Sequence, residues 1–271
     1  MTTIAKEPLV AALVEEWAAI DDLLATLDDS GWSMPTLPGW DVHATVAHVL
    51  GTESMLAGID RPPLPDDLGA RAHVRNEIAG FNEAWIDAHR RDTPAELLAH
   101  LRAVVTRRRA ILAEMSQDDF DAPSWTPIGQ STHGRFMQIR LFDCWMHEQD
   151  IRVAVARPGH EAGAPAEGSL DEIVRALGYI VGKRAGAPSG SAVTVTLTGP
   201  VMRTVHVLVN GKAAVVPVLD RSPTASLAMS SSLFARLAGG RVDPGAVRDQ
   251  IALAGDIELA ERVAANLAFT I

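Results

Sequence analysis

The sequence predicts a helical bundle followed by a small α+β domain, and three observations carry that expectation. Apolar residues recur at three- and four-residue spacing through roughly the first 156 residues. Composition then shifts at RPGHEAGAPAEG, residues 157–168, to the proline, glycine and small residues of a linker. Beyond it the period changes to alternation, with an Asn-Gly pair between two valine-rich runs. The expected domains are therefore 1–160 and 168–271.

Each element has its own signal. Leu9, Leu13, Trp17, Ile20, Leu24 and Leu27 make one stripe on a first helix. After the loop GWSMPTLPGW, Asp41 is placed to cap a second helix carrying His48. A weaker third helix covers Ala72 to Ala88. Thr93-Pro94-Ala95-Glu96 is a capping box with proline at the first helical position, announcing a fourth. A helix from about Gly134 to Ala156 is apolar around most of its circumference, as a central helix should be. Past the linker, Ser169 and Glu172 suggest a capping box for a helix reaching about Arg184. Val193 to Thr198 reads as a half-buried strand, and Val205, Val207 and Val209 lead into Asn210-Gly211 and a return strand ending at Pro217, an edge position. A helix from about Ser230 stops at Gly239-Gly240, and a last one follows Gly255-Asp256.

Composition narrows the function. The 271 residues carry a formal net charge of −10, which argues against unaided binding to nucleic acid or to an anionic membrane surface. Cys144 is the single cysteine, so no internal disulfide forms. The N-terminus carries acidic residues where a signal peptide would be apolar, and every apolar run is soon broken by charge, so the expected location is cytoplasmic. The Ala/Arg/Gly/Asp-rich composition suggests a high-GC bacterial genome.

The densest chemistry lies in RLFDCWMHEQDIRVAV. On a helix, Asp143, His147 and Asp150 fall within about 60° of one another, on a face shared with Phe136, Ile139 and Ala154. Glu148 and Arg152 form an i,i+4 pair expected on the watered side. Ionisable groups on an inward face need partners. A catalytic zinc takes about three protein ligands and keeps an open position. Two ligands one turn apart supply part of that set, and His48 in GWDVHATVAHVLGTE supplies a third, beside the small residues Ala44, Thr45, Gly51 and Thr52. The plainer account of the spacing is a core histidine satisfied by hydrogen bonds.

These two stretches resemble the mycothiol-dependent maleylpyruvate isomerase family. MSSSLFARLAGGRVDP and IALAGDIELAERV are similar to its C-terminal domain, which resembles sterol-carrier domains. The resemblance implies a DinB-like four-helix bundle followed by a small α+β domain with a mainly antiparallel sheet. It implies His48, Asp143 and His147 as ligands of Zn²⁺ or another divalent metal. The family's motif has glutamate where this chain has Asp143, one methylene shorter. Asp150 matches the motif's aspartate and is placed to orient an imidazole. Mycothiol is the implied thiol cosubstrate, adding as thiolate to a small electrophile in an isomerase or S-transferase reaction, in a monomer or homodimer.

Arg75 joins Asp150 as a candidate catalytic residue, Arg75 and Asn76 meeting an anionic substrate if their helix borders the cavity and facing solvent otherwise. Cys144 reads as a small buried hydrophobe, Trp32 and Trp40 as core anchors, His133 as a loop residue without a role, and Arg241 as compensating a helix dipole. Two other classes stay open: a non-catalytic metal- or ligand-binding protein, and an iron oxygenase using two histidines and a carboxylate.

Overall fold

The computed structural model describes residues 4–270, which divide after His160 into two compact units. In the first, α1 (Lys6–Leu24) is followed by the single turn α2 (Asp29–Trp32) and a hairpin of β1 (Pro35–Leu37) and β2 (Trp40–Asp41). Then come α3 (Val42–Leu56), α4 (Glu77–His89), α5 (Pro94–Glu114) and the short α6 (Gln117–Asp121). A second hairpin, β3 (Pro123–Thr126) and β4 (Gly129–Thr132), leads into α7 (His133–Ala154). The bundle is α1, α3, α5 and α7: α1 packs on α5 and α7, and so does α3. Its core includes Leu13, Trp17 and Ile20 of α1, Val46 and Leu50 of α3, Leu97 and Leu101 of α5, and Met137 and Leu141 of α7.

Both hairpins went unanticipated, because their strands are too short to show alternation and lie in Pro/Gly-rich stretches. Each runs straight into a helix that carries candidate ligands. Asp41 ends β2 and caps α3 by accepting the Ala44 N–H, while Thr132 ends β4 and caps α7 by accepting the Arg135 N–H. The Thr93–Glu96 capping box is formed as expected. Two expectations need correction. α4 begins at Glu77, because the Asn76 side chain accepts the Ala79 N–H and so caps it; Arg75 stays outside the helix. His133 is the first residue of α7, its ring edge-on to Phe120, and not a free loop residue.

The second unit opens with α8 (Ala164–Tyr179), continued by a π-helical turn at Ile180–Arg184. It starts ahead of the expected capping box; Ser169 and Glu172 are buried within it, and the chain enters through Gly163 at φ +89°. The sheet contains β5 (Ala192–Thr198), β6 (Arg203–Asn210), β7 (Lys212–Val216), β8 (Ala225–Ser230), which leads into α9 (Ser231–Ala238), and β9 (Ala252–Gly255), which precedes α10 (Ile257–Ala265). Its order is β7-β6-β5-β8-β9, antiparallel except between β5 and β8. β7 is an edge strand, as Pro217 implied. β8 and β9 were not anticipated: ASLAMS has small and polar residues where a strand usually has β-branched ones. β5 is central and more buried than expected, with even Thr194 enclosed and bonded to His206.

Candidate metal centre

The bundle brings His48 of α3 against Asp143 and His147 of α7. His48 Nε2 lies 3.1 Å from Asp143 Oδ2, and His147 Nε2 lies 3.6 Å from Asp143 Oδ1. One ligand atom from each residue lies within 4.8 Å of the others. Around a tetrahedral zinc at about 2.0–2.2 Å, ligand atoms stand roughly 3.3–3.6 Å apart, so the donor set fits a divalent ion by type and both histidine–aspartate separations lie near that spacing. Both imidazoles are buried, whereas the Asp143 side chain is 28 % exposed and marks the accessible side. The shorter aspartate thus meets both histidines without a glutamate's extra methylene.

Neighbours set the protonation of this group. Burial holds the His48 imidazole below its ordinary value despite the attraction of Asp143, so its neutral, ligating form dominates near pH 7. His147 goes the other way: burial is outweighed by Asp143 and Asp150, and its value is raised. For Asp143 burial is again outweighed, here by Arg140, His48 and His147, which hold the carboxyl well below the usual range. His147 Nδ1 lies 3.2 Å from Asp150 Oδ2, which directs its Nε2 toward Asp143. His48 Nδ1 is buried without a hydrogen-bond partner, and among the described residues only Nε2 of that ring is engaged by a side chain.

A buried polar chain backs the site. The Arg140 guanidinium closes on Asp143 Oδ2 and donates through Nε to Glu53 Oε1 at 3.0 Å. The other Glu53 oxygen accepts from Arg108 Nε at 2.9 Å, with both side chains fully buried. Arg140 also reaches Cys144 Sγ at 3.3 Å. Burial pushes the Cys144 thiol well up, which agrees with its reading as a packing residue.

Trp40, read as a core anchor ahead of a substrate-stacking residue, lies against the candidate centre. Its ring centroid lies 5.3 Å from that of His48 and 6.1 Å from that of His147. Trp40 also lines a cavity of about 860 Å³ with Arg71, His73, Glu83, Asp87 and Arg90 among its walls. Trp40 Nε1 and His73 Nε2 both meet Glu83 Oε1 at 2.8 Å, and Arg71 pairs with Glu83, Asp67 and Asp87. Arg75 is exposed, lines no part of this wall, and forms no hydrogen bond or ion pair among the described residues; the cavity's cations are Arg71 and Arg90. Trp32 is a core residue, and Arg241 donates to the Gly239 carbonyl at the end of α9.

Arg140 could have been suspected from sequence. It lies one turn before Asp143, and an inward-facing cation needs a carboxylate. The Glu148–Arg152 pair forms at 2.7 Å, yet Glu148 is fully buried and not in water. The reason is that α1 packs on that side of α7 and brings Glu16 against it.

A family model described as the mycothiol maleylpyruvate isomerase N-terminal domain matches residues 13–152, over half the chain. The chain belongs to the mycothiol maleylpyruvate isomerase family. The model for the C-terminal domain of the same family matches residues 167–262. Two solved structures align with 94 % of this chain and 96 % of their own. One is a crystal structure of the mycothiol-dependent maleylpyruvate isomerase, 18 % identical with a TM-score of 0.57. The other is a histidine-to-alanine mutant of that enzyme, 17 % identical with a TM-score of 0.59. At such identity the likeness establishes the family's fold. No curated protein matches the chain. Among the described residues no helix is long and apolar enough to cross a membrane.

Proposed function

We propose that this member of the mycothiol maleylpyruvate isomerase family is a divalent-metal-dependent enzyme that uses mycothiol on a small electrophilic substrate, as an isomerase or a thiol S-transferase. The observation that carries the reading is the convergence of His48, Asp143 and His147 beside a cavity with which they share Trp40. When bound, a divalent cation, zinc foremost, would favour the thiolate of a nearby thiol over the thiol. His48 and His147 present Nε2 inward, Asp143 contributes the anionic ligand, and Asp150 fixes the His147 ring. Trp40 closes one side over both imidazoles and limits water there. The thiolate adds to an electrophilic carbon of a double bond. The π electrons move onto the conjugated carbonyl as an enolate; rotation about the resulting single bond and expulsion of the same thiolate give the geometric isomer, whereas protonation of the enolate with the thiol retained gives the conjugate. The second unit is read as the family's sterol-carrier-like domain, on the match of the C-terminal family model.

One observation favours a second reading, a non-catalytic metal- or ligand-binding protein. Arg140 occupies the Asp143 oxygen that faces His48, and so lowers the negative charge available to a cation. The test is metal content together with turnover of maleylpyruvate and other electrophiles with mycothiol, in wild type and His147→Ala. The enzyme reading expects metal and turnover in wild type, and in the variant the loss of this centre's equivalent of metal together with turnover. Metal without turnover favours the second reading. Unchanged metal content in His147→Ala overturns the proposed site.

A further inference from the structure

A second convergence lies in the same unit, outside the centre just described. Glu16 of α1, Glu148 of α7 and His160, which follows α7, each bring one ligand atom within 4.8 Å of the others. His160 Nδ1 stands 2.6 Å from Glu148 Oε2 and 3.6 Å from Glu16 Oε2. Both glutamate side chains are fully buried and that of His160 is 17 % exposed. Neither Glu16 oxygen has a hydrogen-bond partner. A buried carboxylate left this way is costly and calls for a proton or a cation.

We propose that Glu16, Glu148 and His160 form a second divalent-cation site, one that fastens α1, α7 and the segment ending at His160. Charge supports it. Arg152 holds Glu148 Oε1 at 2.7 Å and leaves Oε2 turned toward His160. Glu15 Oε1 lies 3.7 Å from the other nitrogen of the His160 ring. Three carboxylates thus face one guanidinium, a negative excess that a divalent ion held by Glu16, Glu148 and His160 would offset.

Backbone geometry points the same way. His160 adopts φ +55°, an uncommon conformation for a residue with a Cβ. Its carbonyl accepts from Trp145 Nε1 at 2.9 Å and Gln149 Nε2 at 3.4 Å, which holds the ring over the two glutamates. Two carboxylate oxygens and one imidazole suit a first-row ion such as Zn²⁺, Mn²⁺ or Fe²⁺ better than the all-oxygen preference of Ca²⁺.

The experiment loads the full chain with Zn²⁺, removes loosely bound metal, and measures bound metal per chain by mass spectrometry. Thermal melts are run with and without chelator. Wild type is expected to hold two equivalents, His147→Ala one, and the isosteric Glu16→Gln one. His160→Ala, at a partly exposed position, gives the same answer if Glu16→Gln folds poorly. The chelator-induced drop in melting temperature shrinks in the Glu16 and His160 variants. The proposal is overturned if His147→Ala removes all metal. It is equally overturned if both Glu16→Gln and His160→Ala keep the wild-type count, which would place any second ion elsewhere, for instance at the partly exposed His89–Asp92–His100 group. If instead the Glu16 variant loses an equivalent and His147→Ala does not, this site stands and the His48–Asp143–His147 centre fails.

Discussion

Arg140 and Asp143 lie one turn apart on α7, and the guanidinium closes on the carboxylate oxygen that also meets His48 Nε2 at 3.1 Å. The aspartate is thereby kept ionised and aimed, but it shares its charge with a fixed cation. Replacing Arg140 by glutamine should have opposed effects. Removing a unit charge beside the ligands should tighten Zn²⁺ binding by about tenfold or more. Breaking the buried pairs with Asp143 and Glu53 should cost about 3 kcal/mol of apo-protein stability. Chelator competition and denaturant melts measure the two separately. Unchanged or weaker zinc affinity would show that Arg140 positions Asp143 and does not compete with the metal.

Asp150 acts through His147. Its carboxylate is 3.2 Å from Nδ1, and outer partners of this kind typically contribute 10- to 100-fold to metal affinity. Asp150→Asn keeps the shape and weakens the acceptor, so a loss of about tenfold in zinc affinity is expected with an unaltered helical circular-dichroism spectrum. Equal affinities in variant and wild type would remove Asp150 from the site.

Gly51 sets the approach of α4 to α3. A Cβ there would stand 2.3 Å from Trp85 Cγ, so the ring packs against a bare Cα. Gly51→Ala gains up to about 1 kcal/mol of helix propensity. Overpacking of this severity costs about 1–3 kcal/mol, and the clash wins. A lower urea midpoint is expected, and a stabilised variant would mean that Trp85 has room to move.

The bundle was legible because its helices carry long apolar stripes and strong caps, of which Thr93–Glu96 and Asp41 are the clearest. The hairpins ahead of α3 and α7 were not, since strands of two to four residues carry no period. The juxtaposition of His48, Asp143 and His147 was anticipated from helix spacing plus family resemblance; spacing alone allowed a plain core histidine. What surrounds those residues was less accessible. Trp40 is shared by centre and cavity only because the β1–β2 hairpin turns it inward over the imidazoles. Arg71 lines the cavity and Arg75 does not, which depends on where Asn76 starts α4. Glu148 looked solvated on a single helical wheel, and only the packing of α1 buries it.

Glu83 ties the cavity wall together, and it makes acid stability a test of that network. The carboxylate is buried, which works against ionisation. Hydrogen bonds from Trp40, His73 and Arg71 outweigh burial and lower its value below the ordinary 4.5. A group whose value is depressed in the folded state stabilises the fold above its unfolded value, and that contribution is lost as pH falls through the folded one. Glu83→Gln should therefore be less stable than wild type at pH 7 by about 2 kcal/mol, the scale of hydrogen bonds to a charged group. The gap should narrow below about pH 4.5 and largely close once wild-type Glu83 is protonated. Urea melts at pH 7, 4.5 and 3 measure it. A gap that stays constant with pH would mean that Glu83 contributes through shape and packing, leaving Arg71 held by Asp67 and Asp87 alone.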